Sequence, residues 1–328
     1  LKLILLLELS LLLLSRPQPR RARGMADALA VPATLATARL PASWATRLVL
    51  PTGVVLPDRG IFLAGALGGP LCIGSLTPLR NACTLAAQDS QSSLGQIYRR
   101  VFSHGLARGW TGATAPCAAA TVQFTMLGPG YHFFLGLLGS PAGAVAAGAL
   151  IENVITYGPG TRNAQLMHIS VAKSEGQVAV RGLRPVGPGF CALFVRNCCA
   201  NAGIRVLSEP LAGLLATASR QEASSTGPCK VGGDFLASVV CGAVSMPFNQ
   251  LYNFQVTSRA SLEARPTERI RVGLDFLKRQ YFVCKDGGSW TLSRMVPRDA
   301  ALRAVYIGCL FSSYAAVERM ALALLQRA

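Results

Sequence analysis

The chain has 328 residues, of which 51% are hydrophobic and only 14% charged, and its mean hydropathy of +0.39 is too high for an ordinary soluble domain of this size. The few charges are mostly basic, 32 Lys and Arg against 15 Asp and Glu for a net +17. A nucleic-acid surface would set such charge on a polar fold with stacking aromatics, whereas here the basic residues lie between long apolar stretches, so no nucleic acid is expected and basic loops facing an anionic membrane leaflet are.

A leucine-rich run over 1–14 opens the chain, followed by Arg16, Arg20, Arg21 and Arg23. A secretory signal carries its positive charge before the apolar run, so the order is reversed. Met25 therefore reads as the start and residues 1–24 as upstream sequence; a short N-terminal anchor is the other reading. Residues 1–57 as a whole are expected to be an extension, disordered or partly untranslated.

Windows of about 20 residues then place six apolar spans at 60–78, 113–138, 141–160, 186–214, 231–256 and 299–325. Gly128-Pro129-Gly130, Gly158-Pro159-Gly160 and Gly187-Pro188-Gly189 are expected inside spans, which membrane helices tolerate because neighbours re-satisfy the freed backbone groups. The connections after the odd spans are basic. They carry Arg99, Arg100 and Arg108, then Arg162, Lys173, Arg181 and Arg184, then nine basic residues from Arg259 to Arg298. The links after the second and fourth spans are uncharged or balanced, so all basic loops fall on one face and both termini on the other.

In the last basic loop Thr267 is expected to cap a surface helix with Ile270, Leu274, Leu277 and Tyr281 on one apolar face. Leu94, Ile97 and Val101 form a weaker version in the first loop, where a solvated charged loop is the alternative. Ten cysteines without a CxxC pair, and His104, His132 and His168 outside any ligand spacing, give no metal site. GxSxG, Walker and dinucleotide motifs are missing, so neither a cofactor nor an enzyme is expected.

Span, surface helix and span, three times over, make an internal repeat. The odd spans end in Pro78-Leu79-Arg80, in Tyr157-Gly158-Pro159 with Arg162, and in Pro247-Phe248-Asn249 with Tyr252 and Gln255. The even spans follow Gly105 to Gly112 with Trp110, Glu175-Gly176 with Arg181-Gly182, and Asp286-Gly287 with Trp290. These residues resemble the two signatures of the mitochondrial carrier family, over about residues 58–320. The resemblance implies an all-α membrane protein with six transmembrane helices in three pseudo-symmetric repeats, 58–139, 140–226 and 227–328. It also implies a multi-pass place in the mitochondrial inner membrane, with contacts to membrane lipid such as cardiolipin, and transport of a small-molecule solute by alternating access.

The pattern also departs from the family. Arg80 and Asn249 stand at acid positions of the odd-helix motif, and Cys83 and Tyr252 at base positions, so most of the ion-pair ring implied by the resemblance is missing. Pro78, Pro159 and Pro247 still bend the odd helices, and closure is expected from hydrogen bonds of Asn249, Tyr252 and Gln255, or not at all. By similarity, substrate contacts fall near Ala119 and at Gly189 and Phe190.

Charged or strongly polar groups at membrane depth are functional candidates in their own right, here Gln123, Arg196 and Arg303. Arg205 and Glu209 are candidates of the same kind, the alternative being that, at helical spacing, they simply pair with each other. Arginines with few acids favour an anionic solute, since guanidinium binds carboxylate and phosphate in a bidentate way. The rival reading is a carrier-like scaffold or subunit with protein partners that has lost transport.

Overall fold

The computed structural model describes residues 59–89, 91–171, 183–220, 227–284 and 289–325. The extension over 1–57 with Met25, the second basic loop with Lys173, Glu175-Gly176 and Arg181-Gly182, and Asp286-Gly287 of the third lie outside the described residues.

The first long segment is a bent rod made of α1 (Arg59–Ser75) and α2 (Thr77–Ala86). Pro78 sits in the first turn of α2 and has no N–H to offer the Gly74 carbonyl one turn back. The indole N–H of Trp110 donates to that carbonyl instead, at 2.7 Å. The surface helix α3 (Leu94–Val101) follows, opened by a capping box in which Ser93 and Gln96 each bond the other's backbone. Ile97 and Val101 bury against the body, so the first basic loop is a docked helix.

A 3₁₀ turn (Leu106–Trp110) leads into α4 (Thr114–Leu138), and α5 (Pro141–Val171) returns. Both run through their internal prolines, Pro129 and Pro159. The third Gly-Pro-Gly tripeptide behaves differently. Gly189 has φ +83°, in the left-handed region, and forms the N-cap of α6 (Phe190–Ala202), so this tripeptide is the approach to a helix and not its interior. A π-turn (Gly203–Leu207) joins α6 to α7 (Ser208–Ser219).

The last third comprises α8 (Pro228–Thr257), containing Pro247, the short α9 (Arg259–Glu263), α10 (Pro266–Tyr281) and α11 (Met295–Leu325). Between α10 and α11 lies a two-stranded antiparallel hairpin, β1 (Phe282–Cys284) with β2 (Trp290–Leu292), so the protein is mostly and not wholly helical. The cap of α10 is also displaced from expectation. Pro266 takes the first turn, Arg265 is the N-cap residue, and Glu268 accepts from its backbone N–H at 3.2 Å; Thr267 is already inside the helix, because Pro supplies the preset φ that starts it.

Six long segments pack as a ring in chain order. The α1–α2 rod lies against α4, α4 against α5, α5 against α6, α6 and α7 against α8, α8 against α11, and α11 closes onto α1. Glycines permit the tight crossings: a Cβ on Gly65 would come within 2.5 Å of the Phe124 carbonyl oxygen, and one on Gly69 within 2.7 Å of that of Ala120. Among the described residues, three segments are long and apolar enough to cross a membrane: Phe190–Ser219, Pro228–Thr257 and Met295–Met320. α4 and α5 match them in length, but Gly, Pro, Gln123, His132 and Glu152 dilute their apolar character.

The first and third basic loops meet at one end of the ring. Arg298 donates to the carbonyls of Ala86, Asp89 and Ser92 at 3.0, 2.9 and 2.6 Å and pairs with Asp299 at 2.8 Å. Asp89 beside them accepts from the Ser92 hydroxyl, the backbone N–H groups of Gln91 and Ser92, and Arg100. Burial pushes the Asp89 carboxyl up, but these donors outweigh it and hold the group below its ordinary value. On α10 the apolar Ile270 and Leu274 are 65% and 42% exposed, turned away from the body of the protein.

Candidate functional site: a polar cavity on the ring axis

A cavity of about 60 Å³ lies inside the ring, and every one of the six long segments contributes to its wall. Three of its side chains are arginines, one from each third of the chain: Arg80 on α2, Arg196 on α6 and Arg303 on α11. Arg303 is 3% exposed; its Nε donates to Ser245 Oγ at 3.2 Å and its guanidinium lies 5.4 Å from the centre of the Tyr306 ring. Arg196 donates through Nε and Nη2 to Asn197 Oδ1 at 3.0 and 2.6 Å and stands 5.8 Å from the Tyr252 ring centre. Arg80 lies against Gly160, where a Cβ would reach within 2.9 Å of its Nη2.

None of the three has an ion-pair partner among the described residues. The acid in the same wall, Glu152 on α5, is 7% exposed and accepts from neutral amides, Gln123 Nε2 at 2.8 Å and Asn201 Nδ2 at 2.7 Å. The cavity therefore carries three guanidiniums against one carboxylate, with unused donors on the guanidinium forks. Arg303 is buried and Arg80 and Arg196 are partly buried; such charge without a counter-ion is costly, and an anion in the cavity would relieve it.

Toward the basic loops the cavity is shut by neutral contacts between α2, α5 and α8. The hydroxyls of Thr161 and Tyr252 meet at 3.1 Å, Asn163 Nδ2 donates to Asn81 Oδ1 at 3.3 Å, and Gln165 Nε2 donates to the Val256 carbonyl at 3.0 Å. His168 Nδ1 and Gln88 Oε1 lie 2.7 Å apart at the rim. Of the side chains expected to bridge these helices, Tyr252 does so; Asn249 instead lines the cavity, and Gln255 is buried against Gly273.

Gln123, Arg196 and Arg303, each a polar group within an apolar span of the sequence, line one cavity, and Arg80, Pro159, Asn249 and Tyr252 join them there. Gly189 and Phe190 are not in its wall. Gly189 abuts Tyr252 and Gln255, and the Phe190 carbonyl accepts from Asn153 Nδ2 at 3.0 Å. Pro78 lies in the first turn of α2 and Pro247 inside the continuous α8, and Arg162 is exposed.

Arg205 and Glu209 do not pair. The π-turn puts an extra residue into that stretch and rotates the two off a common face. Arg205 lies 5.6 Å from the Tyr131 ring centre, while Glu209 pairs with Lys230 at 2.6 Å. Sequence reasoning passed over Glu152, although an acid within an apolar span is the same signal that singled out Arg196. It also passed over Asn81, Thr161, Asn163 and Gln165, whose roles depend on pairing between distant helices. Comparison with models of known protein families and with curated proteins finds no match.

Proposed function

We propose that this chain is a carrier-like membrane protein with six spans in three two-helix repeats, and that it moves a small anionic metabolite across the mitochondrial inner membrane by alternating access. The observation that carries this reading is the set of three arginines, Arg80, Arg196 and Arg303, on one internal cavity without carboxylate partners. Further support comes from the closed ring in chain order, the prolines in the odd helices, and the exposed apolar residues of α10, which suit a helix lying on a lipid surface.

The neutral closure toward the basic loops favours the second reading, a carrier-like scaffold that binds protein partners and no longer transports. Purified protein in liposomes, tested for uptake and exchange of labelled phosphate, di- and tricarboxylates and amino acids, separates the two. Uptake of anions that is lost in Arg303→Gln and Arg196→Gln supports the carrier; no flux of any solute supports the scaffold.

A further inference from the structure

We propose that the β1–β2 hairpin is a lipid anchor: its apolar face and the outer ridge of α10 form one strip that lies in the headgroup boundary of an anionic leaflet on the side of the basic loops. This rests on the reading of the chain as a membrane protein and is independent of any solute.

Antiparallel pairing sets Phe282 opposite Leu292 and Cys284 opposite Trp290. Side chains alternate along a strand and paired residues point the same way, so these four share one face, and Val283 with Thr291 take the other. Phe282, Trp290 and Leu292 are 45%, 52% and 68% exposed, and Cys284 is exposed with them. A two-stranded hairpin is marginal in water by itself, and contiguous apolar surface of this kind marks a place of interaction.

The face continues onto α10. Ile270, Leu274 and Lys278 follow one another at four-residue spacing and form a single ridge, on which Ile270 and Leu274 are exposed. Lys278 joins the ridge to the hairpin, its Nζ lying 4.5 Å from the centre of the Trp290 ring. Arg271, Arg279 and Arg294 stand exposed along α10 and after the hairpin, against the acids Glu268 and Asp275. Basic side chains set among Trp and aliphatic groups suit an anionic leaflet, where rings and stems enter the boundary and the charges stay with the phosphates.

The strip is also tied to the edge of a span. The Ser293 backbone N–H donates to the Tyr281 carbonyl at 2.9 Å, which closes the hairpin where α10 ends. Leu292 is three residues before Met295, the first residue of a segment long and apolar enough to cross a membrane. Three residues of chain reach at most about 10 Å, so the base of the hairpin stays close to the end of that span, and the lipid surface is the partner within its reach.

Trp290 reports on this directly. The full chain is reconstituted in liposomes beside Trp290→Phe, and the difference between the two emission spectra isolates Trp290 from Trp44 and Trp110. Phospholipids brominated on the acyl chain near the glycerol are expected to quench that emission, phosphatidylglycerol more than phosphatidylcholine at equal mole fraction. Aqueous acrylamide should reach it poorly, and Lys278→Gln with Arg279→Gln should bring the two lipids level. Emission open to acrylamide and untouched by brominated lipid overturns the proposal, as does equal quenching by the two lipids in wild type. Shielding from acrylamide without quenching by lipid also overturns it and assigns the face to a protein contact. If alkaline carbonate strips the protein from the liposomes, the membrane reading itself fails and the proposal with it. Should Trp290→Phe not fold, Leu292→Trp on the same face supplies the difference spectrum against wild type, with the same outcomes.

Discussion

Tyr252 on α8 and Thr161 on α5 meet hydroxyl to hydroxyl at 3.1 Å, at a position where the carrier resemblance implies a charge. The closure toward the basic loops is thus built from neutral groups, Asn81 with Asn163 and Gln165 with the Val256 carbonyl completing it. Such bonds between membrane helices contribute about 1 kcal/mol each.

A weak closure should respond in opposite directions to weakening and strengthening. Tyr252→Phe keeps the ring beside Arg196 and removes the bond to Thr161, so exchange in liposomes is expected to quicken. Asn249→Asp combined with Tyr252→Lys introduces the pattern that the resemblance implies and should slow exchange by overstabilising the closed state. Equal effects of both, or none, would show that these contacts do not limit the opening.

Trp110 stands in for the hydrogen bond that Pro78 cannot make, through its 2.7 Å contact with the Gly74 carbonyl. Trp110→Phe should therefore lower stability by about 1 kcal/mol. In a Pro78→Ala background, where a backbone N–H again reaches Gly74, the same change should cost clearly less. A double-mutant cycle of thermal melts in detergent measures the coupling; additive effects would mean that the indole contributes by packing alone.

Acid should loosen the first basic loop. Because the donors around Asp89 hold its carboxyl below the ordinary value, the contribution is fully present above about pH 4, the unfolded value, and is lost as pH falls through the lower folded one. Asp89→Asn is expected to cost about 1 kcal/mol at pH 7, and the gap to wild type should narrow steadily below pH 4. Melting curves of both proteins between pH 7 and pH 3 check this, and a gap that stays constant would contradict it.

Much of the helical skeleton was legible because it follows from apolar length and from periodicity. Ile97 and Val101 mark the buried face of α3, and the ends of α4 fall within a residue of the span read from hydropathy. The misplacements have local causes. Gly189 adopts a conformation that starts a helix rather than continuing one, Pro266 takes over the start of α10 from Thr267, and the π-turn separates Arg205 from Glu209.

The site was harder to read. Arg196, Arg303 and Gln123 stood out as polar groups in apolar spans, but Glu152 is a single acid in an alanine-rich stretch and was averaged away. Asn163 and Thr161 gave no signal at all, because a neutral polar residue in a helix acquires its function only from the helix packed against it.

The central claim, that Arg80, Arg196 and Arg303 form an anion site, is tested most directly by ligand-induced stabilisation of the purified protein in detergent, which does not depend on transport. A ligand present at about 100 times its Kd adds about 2.7 kcal/mol to the folded state. Small di- and tricarboxylates or phosphate compounds should raise the melting temperature of wild type by a few degrees, while cations of the same size do not, and Arg303→Gln should abolish the rise. A melting temperature indifferent to every anion, or an equal rise in wild type and Arg303→Gln, would contradict the account.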